Sequence, residues 1–432
     1  MRHSRWRWSL RLFLLVSGLW GMGTGEAAAQ PSCSAPFLVD QTFSSATRWR
    51  FCWEVVQREG LVINRAFYTD RGGIEREVLF RGSIAQVHVP YHPGSPRFFD
   101  LTTSTSGLGA GSLSLAAAEC PGGTVLDPGG LFAGPRVCRQ LEDRGLAYKY
   151  GPLSVNGQEI TLWISSQLGQ YNYVTQWTFA DDGTIHADVG FTGRLQIYQS
   201  GVPSCVPGCP PWSLFGFRVN DESAGTAAWA ISHMHNIYFR LDFDIGGAAN
   251  DAVEGIFSYP WDPSFGPSPI ASCASPGQCN FNYRYNHSVE GIDQRWNPSL
   301  SWRAYDTAIT NLEGRTIGYE LVPHGARWDA MTTTTEPWSG AELYVTRQNA
   351  CELLATQNQA PYIPATCPPA TATDVRAMTA DHASVLGADN VIWYVHKFVH
   401  HPRDEDEVNM LVEKEGVELR PRSWRHKNPL EP

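Results

Sequence analysis

The sequence predicts a mainly β protein built as a large antiparallel β-sandwich. Two observations carry this: strand-length runs alternating apolar and polar residues recur along most of the chain, and no long segment repeats with the 3.6-residue period of a helix. A third is capacity, because 432 residues of which 42% are hydrophobic and 12% aromatic can fill the space between two packed sheets.

The first 29 residues differ from the rest. A basic opening, a short apolar run and Ala27-Ala28-Ala29 form the pattern of a secretory signal, so residues 1–29 are expected to be removed, leaving 30–432 as one domain. The apolar run is short for a membrane span and glycines interrupt it, and no stable membrane insertion is expected. From Pro36 to Pro90 the runs WRFCWEVV, LVINRAFYT, EREVLF and IAQVHV alternate, with turns at Arg58-Glu59-Gly60 and at Asp70 to Gly73, and predict an antiparallel meander. The strand-like TLWISSQ and YNYVTQW follow, then a polar hairpin at Asp181-Asp182-Gly183. Residues 245–310 are rich in loop formers, after which SLSWRAYDTAIT, GRTIGYELVP and AELYVTR resume the strand pattern.

All ten cysteines lie beyond residue 29, an even number in a chain expected to be secreted or periplasmic, which suggests disulfides. Pairing neighbours gives Cys33–Cys52, Cys120–Cys138, Cys205–Cys209, Cys273–Cys279 and Cys351–Cys367, with zinc as the rival use of Cys205 and Cys209. The formal charge is −10, and residues 1–29 carry four arginines against one glutamate, so their removal makes the chain more acidic still. Such a surface repels phosphate backbones, so no nucleic-acid partner is expected, and cationic ligands such as amines are plausible.

Particular motifs sharpen the reading. Leu168-Gly169-Gln170-Tyr171-Asn172-Tyr173 puts a tyrosine in a strand, and His233-Met234-His235 puts two imidazoles on one face of another, where both can reach one metal ion. With Phe99-Asp100, Gly107 and Ser112-Leu113, and with Val399-His400-His401-Pro402-Arg403-Asp404-Glu405-Asp406, these stretches resemble the catalytic domain of the copper amine oxidases. The resemblance runs from about residue 36 to the C-terminus. It implies that Tyr171 is the residue oxidised in place to topaquinone, that Asp100 is the catalytic base, and that Tyr91 belongs beside the cofactor. It also implies copper ligation by His233, His235 and His400; His401 lies one residue on, where a strand faces the other way. Asp242, Asp244 and Asp389, with the carbonyl of Asn390, match a family site for calcium or manganese, and the three carboxylates are expected to converge near the surface. The family's disulfide matches Cys120 and Cys138.

Two departures stand beside the tyrosine: Gln170 replaces the family's Asn, and Asn172 replaces its Asp or Glu. The resemblance implies a homodimer that oxidises primary amines with oxygen to aldehyde, ammonia and hydrogen peroxide. A secreted copper-binding protein on the same scaffold that never makes the quinone is the alternative. A carbohydrate-binding or structural sandwich, suggested by the many Trp residues, is a further one.

Overall fold

The computed structural model describes residues 33–91, 97–102, 107–199, 216–221, 226–249, 251–260, 279–293, 299–323, 336–356, 367, 372–406 and 409–431. The predicted meander is present as β1 (Leu38–Thr42), β2 (Arg48–Val56), β3 (Gly60–Thr69) and β4 (Glu75–Pro90), with β5 (Arg97–Phe99) pairing back on β4. Next come β6 (Thr124–Leu126), β7 (Val137–Tyr150), β8 (Leu153–Leu168), β9 (Tyr171–Ala180) and β10 (Ile185–Gly193). A small sheet holds β11 (Ile197–Gln199), β12 (Gly216–Asp221) and β13 (Thr226–Ile231). The long β14 (His233–Phe243) leads to β15 (Asp251–Pro260), β16 (Asn280–Asn286), β17 (Gly291–Asp293), β18 (Ser301–Thr310) and β19 (Thr316–Pro323). The chain closes with β20 (Leu343–Arg347), a single helical turn α1 (Val375–Met378), β21 (Asn390–His400) and β22 (Met410–Arg422).

These strands form two large antiparallel sheets, so the predicted sandwich is what the chain builds. The first sheet runs β1-β2-β3-β4-β14-β21-β20-β17, and the second β16-β15-β18-β19-β22-β10-β9-β8-β7-β6. One continuous core lies between them, where Phe51, Ile63, Leu79 and Val87 of the first sheet meet Ile160, Leu162, Phe179 and Leu419 of the second. Phe51 and Phe179 stack across the gap with ring centroids 4.1 Å apart. Burying a side chain of that size contributes about 1.5–3 kcal/mol. Gly82 is required for close approach, since a Cβ there would lie 2.7 Å from the Trp177 ring.

Central strands β14 and β21 are covered on both sides. Their inner residues Ile237, Phe239 and Tyr394 join the main core, while Tyr238, Trp393 and Val395 face outward onto a second cluster with Trp338, Tyr344 and residues of α1. This explains why β14 is buried at every position although its sequence includes Arg240 and Asp242.

The pairs Cys33–Cys52, Cys120–Cys138 and Cys351–Cys367 are formed as expected. Cys279 is also disulfide-bonded, whereas Cys205, Cys209 and Cys273 lie outside the described residues, as does the proposed 1–29 leader. Among the described residues, no helix is long and apolar enough to cross a membrane. Among the described tryptophans, which suggested a carbohydrate surface, Trp49, Trp53, Trp177, Trp302 and Trp393 are fully buried.

Candidate metal centre and catalytic site

His233 opens β14 and lies in register with His400 at the end of β21. Directly opposed residues of an antiparallel pair project to the same side, and His235 is two residues further along that face. All three imidazoles therefore point into the space between the sheets, with one ring nitrogen of each within 4.8 Å of the others. His401 faces away: it is exposed, and its Nδ1 lies 3.3 Å from Ser232 Oγ. His396 is buried on the inner side but is engaged elsewhere, 3.2 Å from Glu415.

The hydrogen bonds fix how the His233 and His400 rings are turned. His233 Nδ1 donates to the Ile231 carbonyl at 2.8 Å, leaving Nε2 with its lone pair directed inward. His400 is oriented the other way round, with Nε2 3.3 Å from Asp406 and Nδ1 facing the centre. Asp406 is itself held by the Arg403 main-chain N–H at 3.1 Å. His235 is fully buried, and neither of its ring nitrogens has a hydrogen-bond partner. Burial, then the neighbouring His233 and His400, keeps the His235 pKa well below its ordinary value, and burial lowers that of His400 despite Asp406. Three converging ring nitrogens, with those of His235 lacking any hydrogen-bond partner, fit a transition-metal ion, and a set of nitrogen donors without thiolate suits Cu(II) or zinc.

Tyr171 comes from the opposite sheet, where Gly169, at φ +63°, turns β8 into β9. Its hydroxyl donates to His233 Nε2 at 2.8 Å and is 3.2 Å from His400 Nδ1. Burial, then Tyr91, holds its pKa well above the ordinary phenol value. Tyr91, just past β4, stacks on His233 with centroids 4.2 Å apart and planes 14° from parallel. Gln170 does not crowd the ring: it is exposed in the turn, and its carbonyl accepts the Arg194 N–H at 2.8 Å.

Asp100 follows β5 and reaches the same region through Tyr173, whose hydroxyl donates to its carboxylate at 2.5 Å. Rings of Tyr171 and Tyr173 are 6.2 Å apart. Asp100 is half-buried by exposed area, yet its carboxyl group is desolvated, which raises its pKa to about 6 although the Tyr173 hydrogen bond acts to lower it. Tyr173 and Asp406 are the site residues that sequence reasoning missed. The two-residue spacing of Tyr171 and Tyr173 along β9 was the available signal for the first; for Asp406 it was the acidic residue closing the segment after His400.

Asp242, Asp244 and Asp389 also converge, each offering an oxygen within 4.8 Å of the others. They are not near the surface as expected: Asp242 and Asp244 are buried and Asp389 is half-buried, because the outward face of β14 and β21 is itself covered. Asp242 is nine residues from His233, an odd number, so one strand presents nitrogen ligands inward and carboxylates outward. Burial, then the other two carboxylates, raises the Asp244 pKa to about 7, and burial, then Asp242, raises that of Asp389 to about 6. Asn390 is buried, and its side-chain amide donates to Val385 O at 2.7 Å.

A three-imidazole centre with a phenol in its midst, held between two sheets, defines a metal-binding β-sandwich protein. The sequence model described as copper amine oxidase, enzyme domain, matches residues 147–431, and the chain belongs to the copper amine oxidase family. It is similar to a histamine oxidase of Arthrobacter globiformis, 27% identical over 86% of this chain and 54% of that protein. It is likewise similar to the copper-containing peroxisomal amine oxidase alpha 3 of Arabidopsis thaliana, 23% identical over 91% of this chain and 60% of that one. Among solved structures, a copper-containing benzylamine oxidase from Hansenula polymorpha superposes with a TM-score of 0.71 at 20% identity, covering 98% of this chain and 64% of that one. The chain thus spans between half and two thirds of the length of these relatives.

Proposed function

We propose that this protein is a copper and topaquinone amine oxidase that converts primary amines to aldehyde, ammonia and hydrogen peroxide. The observation that carries the reading is the Tyr171 hydroxyl lying within hydrogen-bond distance of two of three convergent imidazoles, with Asp100 held two rings away. His233, His235 and His400 would hold copper, and Asp242, Asp244 and Asp389 with the Asn390 carbonyl would hold calcium or manganese. Copper and the quinone derived from Tyr171 supply the two-electron acceptor that no ordinary side chain provides.

The chain's own residues do the rest. Asp100, with a pKa near neutrality, is suited to take a proton from the carbon bearing the amine, and Tyr173 fixes the carboxylate in place for it. Tyr91 stacks against His233 and limits movement of the ring beside it. Asp406 fixes the His400 orientation that turns Nδ1 to the centre.

The disulfides support export under the direction of residues 1–29, with 30–432 as the catalytic domain. A homodimer is supported by the long β7–β8 hairpin, which leaves Leu146, Tyr150 and Leu153 largely exposed to solvent. The decisive experiment is peroxide release from a panel of mono- and diamines by copper-loaded protein, alongside Tyr171→Phe and Asp100→Asn. Absence of peroxide together with no labelling by phenylhydrazine would leave a copper-binding protein without catalysis.

A further inference from the structure

Gln86 of β4 is fully buried, and its side-chain amide uses all of its hydrogen-bonding capacity. Oε1 accepts the Val87 and Leu101 main-chain N–H groups at 3.0 and 3.1 Å, while Nε2 donates to the hydroxyls of Thr102 and Thr356 at 2.9 and 2.6 Å. Main-chain N–H groups only donate, so the amide can be turned only one way. The two hydroxyls lie 3.0 Å apart and bond to each other, and both threonines are buried. Asp100 directly precedes this cluster. Its own N–H donates to the Val87 carbonyl at 2.9 Å, and the Leu101 carbonyl accepts from Arg58 Nη1 at 2.7 Å, so the main chain is held at both residues.

Thr356 reaches the cluster from 254 residues beyond Thr102, in the segment that the Cys351–Cys367 disulfide closes. That segment is pinned to β4 by the Ala355 N–H, which donates to the Ala85 carbonyl at 3.0 Å. The carbonyl is available because β4 bulges there: Tyr238 faces Gln86 and Phe239 faces Ile84, which leaves Ala85 with no opposed residue in β14. Space-filling alone would not call for this arrangement, since apolar side chains of the same volume fill a core without desolvating four polar groups. We propose that Gln86, Thr102 and Thr356 are positioning residues for Asp100. The buried triad fixes the main chain that follows the carboxylate, while Tyr173 fixes the carboxylate itself. Both are needed, because a base displaced by about 1 Å from its target can lose about 100-fold in rate. The assignment rests on the reading of Asp100 as the catalytic base.

The test compares Thr356→Val, which lacks the hydroxyl, with Thr356→Ser, which keeps it, in the full-length protein. Without copper, hydrogen exchange followed by mass spectrometry should show faster exchange at residues 98–102 in Thr356→Val and unchanged exchange along β9. With copper, kcat for a single amine should fall about 10–100-fold while KM holds, and deuterium on the amine-bearing carbon should give a larger isotope effect on kcat. Thr356→Ser should restore all three readouts. Thr102→Val removes the other hydroxyl and should repeat the pattern; failure of both valine variants to fold would mark a structural role and overturn the proposal. So would a folded Thr356→Val with parental kcat and isotope effect, or an equal loss of kcat in Thr356→Ser. If the parent releases no peroxide, or Asp100→Asn turns over like the parent, the reading of Asp100 as the base fails and the proposal falls with it. If Asp100→Asn is inactive while Thr356→Val matches the parent, the positioning role alone fails.

Discussion

The Tyr171 hydroxyl and His233 Nε2 are 2.8 Å apart although 62 residues and two different sheets separate them. That contact places a phenol against the three-imidazole set. It also makes specific demands on each histidine.

His235 packs against Phe191 with ring centroids 4.3 Å apart, but both its ring nitrogens are buried and unpartnered, a cost that a bound metal would offset. His235→Ala should lower copper affinity by more than about 100-fold, whereas His401→Ala should leave it unchanged. Competition against a chelator of known affinity, with the copper EPR spectrum recorded for each variant, checks both.

Asp406 acts on the metal only through His400. Asp406→Asn should retain the fold and reduce copper affinity by about 10–100-fold, the usual cost of losing an outer carboxylate. A copper titration at constant pH, with circular dichroism as the control for folding, decides it.

Catalysis should respond to Asp100. Its pKa of about 6 means that turnover falls as pH drops through that value, since the protonated acid cannot accept a proton. Tyr173→Phe removes the hydrogen bond that acts to lower this pKa, so the acidic limb of the kcat/KM profile should move upward, by about one unit. Profiles of the two proteins with a single amine make the comparison.

Glu336 couples the strand before Asp100 to the rest of the first sheet, through Arg97 of β5 and His88 of β4. Burial opposes its ionisation, but the hydrogen bonds from His88 and Arg97 prevail and hold its pKa down to about 2. A depressed folded-state value stabilises the protein above the unfolded pKa of about 4.5 and loses that effect as pH falls towards about 2. Glu336→Gln should therefore destabilise by about 2–3 kcal/mol at pH 7, with the gap from wild type narrowing below about pH 4.5. Urea unfolding across that range measures it.

Much of this was readable from the chain. The meander, the hairpin beyond Tyr171 and the ligand strand all show period-two patterning, and His233 and His235 share a face by spacing alone. His400 was separable from His401 for the same reason. What the sequence could not display was depth. Asp242 and Asp244 read as a polar strand end, because the cover over them comes from Trp338, Tyr344 and α1, whose sequence gives no sign of where they pack. The same holds for Gln170, which has one methylene more than the Asn it replaces: the side chain is exposed in the turn and does not press on the Tyr171 ring. Residues 245–310 read as loop-rich, yet β15 to β18 lie within them.

The Tyr171 hydroxyl meets His400 across 229 intervening positions of sequence, and that pairing exists only after β21 has docked on β14 and the two sheets have closed. Contacts of such long range form late, because the loop-closing entropy has to be met before they contribute. The centre is therefore timed by folding itself. A chain emerging from its N-terminus carries Tyr171 early, but the complete three-imidazole set faces the ring only in molecules where β21 has docked and the two sheets have closed.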